Sequence, residues 1–281
     1  MKSLYSMFLS QAYQDCWDDY NRSVKLKNFP RWDYVILTAS NDQQAEGFRR
    51  QIEERKEYLP AGTRFAAVPD RDGERVGSGG ATLEVLKYLH EQEGDFRKLR
   101  VLVIHSGGDS KRVPQYSALG KLFSPVPHQL PDGRSSTLFD EFMICMSSVP
   151  SRIREGMVLL SGDVLLLFNP LQIDYNNVGA AAISFKERVK VGKNHGVYVN
   201  GEDGNVKCCL QKKSEEELRK AGAVNEAGCV DIDTGALIFS TAMMDSLYSL
   251  IGTEEGYDRY VNGTVRLSLY ADFLYPLAED S

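Results

Sequence analysis

The sequence predicts an α/β protein built on a mixed, mostly parallel sheet flanked by helices. Three observations predict it. Short apolar runs alternate with helical stretches from Trp32 to Leu160, the pattern of parallel strands covered on both faces. From Ala180 onward, strand-like runs follow one another through turn sequences, which suits hairpins rather than crossovers. No segment reads as a repeat, a linker or low complexity, so one domain is expected after the leading segment 1–31.

The elements follow in order. Leu4, Met7, Phe8, Tyr13 and Trp17 predict one face of a leading amphipathic helix. Asp33–Ser40 (DYVILTAS) predicts a buried strand, and Asn41 or Asp42 can cap a helix with Ala45, Phe48 and Ile52 on one face. Arg64–Val68, Arg100–Ile104 and Met157–Leu160 predict further strands, with helices over Ala81–His90 and Thr137–Ser148 between them. In the second half, strands are expected at Ala180–Phe185, His195–Val199, Val206–Leu210 and Ala236–Phe239. Gly201–Asn205 reads as a hairpin turn, Ser214 with Glu217 as a capping box, and Ser240 or Thr241 as the cap of a helix stopped by Gly252.

Composition narrows the function. The 281 residues are 42% hydrophobic and 26% charged, which excludes a disordered or collagen-like chain. Thirty-nine acids against 33 Lys and Arg give a net charge of −6, which argues against nonspecific binding to nucleic acid or an anionic membrane. The longest apolar run near the middle, Val164–Phe168, is too short to span a bilayer, and the polar residues Gln11, Gln14 and Asp15 break any signal-peptide pattern. Cys16, Cys145, Cys208, Cys209 and Cys229 form no C-x-x-C pair and read as buried thiols of a cytoplasmic protein.

Three constellations point to phosphate chemistry. Val76–Thr82 joins an extended loop to a helix through Gly77, Ser78, Gly79 and Gly80, whose backbone amides can approach an anion. Thr82 stands where a dinucleotide fingerprint needs its third glycine, and no Gly-Lys-Ser/Thr ending makes a Walker loop. Val103–Pro114 runs from an apolar strand into Gly107, Gly108, Ser110 and Arg112, with Lys121 beyond. Glycine amides, the planar fork of Arg112 and the point charge of Lys121 make a triphosphate site; the competing reading is a solvated basic loop. Leu159–Leu165 places Asp163 after a buried strand, where a carboxylate can hold Mg²⁺ between phosphates or merely cap a turn. Asp231-Ile232-Asp233 imitates a D-x-D metal motif and ranks below Asp163, while Asp272 is a weaker metal candidate still. His195 and Lys212 stand at strand ends from which they could face a second, phosphorylated substrate.

WDYVILTAS, PAGTRFAAVPD, RVGSGGATL, IHSGGDSKRVPQYSALGKLFSPVP, SGDVLL, HGVYV, LQKKS and DIDTGALIFS, in this order, resemble the L-fucokinase/GDP-fucose pyrophosphorylase family. The leading helix and WDYVILTAS look most like the bacterial members that combine both activities. The resemblance implies a GT-A-type nucleotidyltransferase that condenses GTP with L-fucose 1-phosphate to GDP-fucose and pyrophosphate. It places nucleotide contacts at Gly77, Gly79, Gly80, Gly107 and Gly108 and catalytic cations at Arg112 and Lys121. The kinase module of bifunctional relatives, with its P-x-G-x-G-L-G-S-S loop, has no counterpart up to Ser281. The expectation is therefore a piece or split form of a longer protein, either active or silent without a separate kinase module.

Overall fold

Alternation along the central strands decides the architecture. A computed structural model describes residues 4–106, 116 and 120–278. Strands β1 (Tyr34–Ala39), β2 (Arg64–Pro69) and β3 (Arg100–His105) are separated by helices α2 (Asp42–Glu54) and α3 (Gly77–Glu93), and α1 (Leu4–Lys25) precedes them. A small hairpin, β4 (Pro125–Gln129) with β5 (Ser135–Thr137), leads into α4 (Leu138–Cys145) and β6 (Gly156–Ser161). Next come β7 (Ala180–Arg188), α5 (Val189–Gly192), β8 (Gly196–Asn200), β9 (Val206–Gln211), α6 (Glu215–Lys220) and β10 (Cys229–Phe239). Helices α7 (Thr241–Ser249) and α8 (Glu254–Tyr260) precede a π-helical turn, Leu269–Leu274.

The main sheet has the order β2-β1-β3-β6-β10-β8-β9, with β7 also paired to β10. The β1–β2, β1–β3 and β3–β6 pairs are parallel, and every pair that involves β8 or β10 is antiparallel. It is the mixed α/β sheet that the sequence predicts. Because side chains alternate across a strand, Val35 and Leu37 enter one layer with Trp17, Phe48, Phe139 and Phe142, while Tyr34 and Ile36 enter the other with Leu83, Leu86, Leu89 and Met244. A smaller cluster of Val189, Val197, Leu218, Val230 and Ile232 supports the antiparallel end.

Several expectations need correction. The leading helix buries Ala12, Cys16, Trp17, Tyr20 and Ser23, whereas Leu4, Met7 and Phe8 are 86%, 56% and 43% exposed. The helix packs on α4 through its middle (the Cys16 thiol lies against the Cys145 carbonyl), whereas in its first two turns Tyr5 and Leu9 line a cavity at the sheet edge and Leu4, Met7 and Phe8 face away from it. Asn41, not Asp42, caps α2, its side chain accepting the Gln44 amide. Helix α4 stops at Cys145, short of Ser148. Cys16 and Cys145 are buried, but Cys208, Cys209 and Cys229 are only half-buried. No helix among the described residues is long and apolar enough to cross a membrane.

Candidate active site

The parallel strands all end on one edge of the sheet, where Thr38, His105 and Ser161 lie in register and Ala39 pairs with Pro69 one residue further on. The chain leaves β1 toward β2 on one side and resumes at β3 on the other, so this edge holds a topological switch point, where open α/β sheets bind ligands. Two cavities open there. The smaller, about 320 Å³, is lined by Thr38, Ser40, Asp70, Arg75, Gly77 and Ala81 among others. The larger, about 720 Å³, runs toward the antiparallel strands and is lined by His195, Asp233, Gly235 and Tyr270 and by an apolar wall from Val164 to Phe168. Ser78, His105 and Ser161 line both and form the waist between them.

The glycine segment is not a loop before a helix. It is the first turn of α3, which begins at Gly77 rather than Ala81. The later segment around Leu267 lies directly on it. Gly79 N–H donates to the Leu267 carbonyl at 2.8 Å, Leu267 N–H donates to the Val76 carbonyl at 3.0 Å, and Leu269 N–H donates to Ser78 Oγ at 3.0 Å. Gly77 and Ser78 face the smaller cavity, while Gly79 and Gly80 are buried and line neither. A Cβ on Gly79 would stand 2.9 Å from the Leu267 Cβ, so this glycine admits the chain itself. Gly107, Gly108, Ser110 and Arg112 lie outside the described residues.

Lys121 and Asp163 come together. Lys121 Nζ donates to Asp163 Oδ2 at 2.8 Å, and Ser161 Oγ donates to Asp163 Oδ1 at 2.8 Å. The lysine beside it holds the Asp163 carboxyl below the usual carboxylate range, so it is ionised at neutral pH. The pair stands beside the waist residue Ser161 and lines neither cavity. Among the described residues, no three or more His, Cys, Asp or Glu side chains cluster to hold a metal. A half-exposed carboxylate with spare lone pairs fits Mg²⁺ delivered by phosphates, because that ion keeps most of its waters and takes few protein ligands. His195 is exposed on the larger cavity; Lys212 is exposed, donates its amide to the His195 carbonyl at 3.0 Å and lines neither cavity. In the D-x-D string, Asp231 is bound by Lys186 and Asn200, while Asp233 lines the larger cavity and accepts Tyr198 and Tyr270 hydroxyls. Asp272 is exposed and accepts the Ser268 amide, as a turn-capping acid does.

The waist contains a residue not singled out from the sequence. Thr82 Oγ1 donates to the Ser78 carbonyl at 2.9 Å and must therefore accept from His105 Nε2–H at 3.2 Å. His105 Nδ1 then accepts from Thr38 Oγ1 at 3.3 Å, and Ser106 Oγ donates to the Thr38 carbonyl. This relay ties the first turn of α3 to the ends of β1 and β3. Burial pushes the imidazole down to about 4. Ring-labelled NMR should show His105 as the neutral Nε2–H tautomer from pH 8 to below pH 5. The unfolded chain takes up this proton near pH 6.5 and the folded one near 4, so His105 removes stability as pH falls through that window. Titration near 6.5 in the folded protein would rule the relay out. Asp70 was likewise missed, although VPD places an acid after a buried strand just as SGD does.

The fucose pyrophosphorylase domain profile matches residues 94–281. The chain is 31% identical over 245 residues to the bifunctional fucokinase/GDP-fucose pyrophosphorylase of Arabidopsis thaliana, covering 74% of this chain and 23% of that one. It is 34% identical over 182 residues to the fucose-1-phosphate guanylyltransferase of Mus musculus, covering 62% of this chain and 30% of that one. The chain thus spans about a quarter to a third of the length of these relatives. Among solved structures, HddC from Yersinia pseudotuberculosis aligns with a TM-score of 0.42 at 12% identity, over 93% of this chain and 70% of that one.

Proposed function

The chain belongs to the fucose pyrophosphorylase family, and we propose that it is a GT-A-type guanylyltransferase condensing GTP with L-fucose 1-phosphate. A sugar-phosphate oxygen attacks the α-phosphorus in line, the bond to the β-phosphate bridging oxygen breaks, and pyrophosphate leaves with its electron pair. Such chemistry needs positioning and charge neutralisation more than covalent catalysis. The observation that carries the reading is the pair of cavities joined at one waist on the carboxyl edge of the sheet. Two substrates entering from opposite sides would meet there.

In this reading the nucleotide occupies the smaller cavity, with Gly77 and Ser78 near its phosphates, and the sugar phosphate occupies the larger one beside His195. Lys212 would reach the sugar phosphate only from outside the cavity lining. Lys121 meets charge on the phosphates, and Asp163 would hold Mg²⁺, whose contribution when bound is to neutralise the triphosphate. Gly107, Gly108, Ser110 and Arg112 enter the proposal from their residue types and order alone. A kinase module supplied by another part of a longer protein, or by a separate chain, would furnish the sugar phosphate.

The test is direct. Incubation with GTP, L-fucose 1-phosphate and Mg²⁺ should release pyrophosphate and form GDP-fucose in equal amounts. No pyrophosphate from any of several sugar 1-phosphates would overturn the enzyme reading.

A further inference from the structure

We propose that Asp70 reads the guanine base, its carboxylate accepting N1–H and the 2-amino group at the β2 end of the smaller cavity. The inference rests on the guanylyltransferase reading and extends it to the choice of nucleotide. Asp70 lies before the region matched by the family profile.

The backbone fixes the residue firmly. Asp70 directly follows β2, and its amide donates to the Ala39 carbonyl at 2.7 Å, which ties it to the end of β1. The side chain lines the cavity with Thr38, Ser40 and Arg75. Burial pushes its carboxyl up to about 6, partly offset by the nearby Val76 amide and the Arg75 charge, while the Glu84 carboxylate adds to the rise. It is therefore largely ionised at neutral pH while lacking much of its hydration, a condition that two ligand N–H donors would relieve.

Position and elimination point the same way. Asp70, the β1 end, His105 and Ser161 follow one another across β2, β1, β3 and β6. Three strand spacings of about 4.8 Å give roughly 14 Å from Asp70 to Ser161, room for a nucleotide laid across the strand ends with its phosphates at the waist. The other acids near the waist are held by neighbouring side chains. Asp163 pairs with Lys121, and Asp233 Oδ1 takes Tyr198 at 2.9 Å, the Gly235 amide at 2.9 Å and Tyr270 at 3.3 Å. Guanine presents two adjacent donors to a carboxylate. Adenine presents an acceptor at N1, hypoxanthine lacks the 2-amino group, and xanthine places a carbonyl there.

Asp70→Asn supplies the test because its amide NH₂ complements that xanthine carbonyl while its oxygen still accepts N1–H. Binding of GTP, ITP, XTP and ATP should be measured by calorimetry, and turnover with L-fucose 1-phosphate alongside. The wild type should favour GTP, and the variant should bind GTP about a hundredfold less well and XTP more tightly than the wild type does. Its melting temperature at neutral pH should equal or exceed the wild-type value, since a carboxyl that burial penalises when ionised has gone. An unchanged GTP-to-XTP ratio in a folded variant would overturn the assignment. Wild-type binding without turnover would refute the enzyme reading yet still test Asp70, whereas no wild-type preference for GTP would refute the base assignment itself.

Discussion

Gly77→Ala should cost about 3 kcal/mol of folding stability, a fall of roughly 6–10 °C in melting temperature. Two independent penalties add at this position. Gly77 has φ +80°, where a side chain meets its own backbone at a cost of about 1 kcal/mol or more. A Cβ there would also lie 2.3 Å from the Leu267 carbonyl oxygen. That oxygen cannot simply retreat, because it accepts the Gly79 amide while the Leu267 amide donates to Val76. Gly94→Ala is the control: it has φ +71° and nothing within 4 Å of the added carbon, so it should show the backbone penalty alone. Thermal melts of the two variants separate the terms. Equal losses would mean that the 265–269 segment does not press on the glycine turn.

Much of this fold was legible because its strands are buried on both faces. DYVILTA, RVLVIH and GMVLLS are apolar at nearly every position, so their strands did not depend on a subtle alternation. The caps Asn41, Ser214 and Ser240 were legible for a local reason: each accepts the amide three residues ahead in its own helix. What escaped was set by distant chain. The glycines at 77–80 promise open amides when read locally, yet Leu267, far along the sequence, takes the Gly79 amide. The apolar residues at the start of α1 were assigned a buried face by spacing, but burial needs a neighbour, and spacing does not supply one. Residues Cys229–Asp233 alternate apolar and polar as a half-buried strand does, but Asp231-Ile232-Asp233 reads equally as a metal string, and it is pairing with β7 and β8 that makes the segment part of β10.

The site shows the same division. Lys121 and Asp163 were proposed separately, one for phosphate and one for metal, and no local signal says that they touch. His105 closes an apolar run and looks like its last member, but Thr38 and Thr82 on either side turn it into a fixed relay. A histidine between two threonines from different elements is a tertiary fact.

Lys121→Met and Asp163→Asn should each lower turnover about a hundredfold while moving the melting temperature by no more than about 2 °C. The contrast is the argument. The two side chains are 43% and 49% exposed, and a pair this wet contributes at most about 1 kcal/mol to folding. If they serve only the fold, activity should follow that small change. If they meet substrate and metal charge, the transition state loses a charge-assisted contact of roughly 1.5–3 kcal/mol from each. Their separate roles can then be told apart by Mg²⁺ dependence. Asp163→Asn should raise the Mg²⁺ needed for half-maximal rate, because an amide is a weaker ligand than a carboxylate. Lys121→Met should leave that requirement unchanged or lower it, because Asp163 no longer shares its charge with a lysine in the free protein. The double variant then decides between one function and two. Additive losses of about four decades mean that lysine and aspartate act on different groups, whereas a double variant no worse than Asp163→Asn means that Lys121 works only by holding Asp163. Losses below about threefold in both single variants, with the fold intact, would remove the pair from the active site.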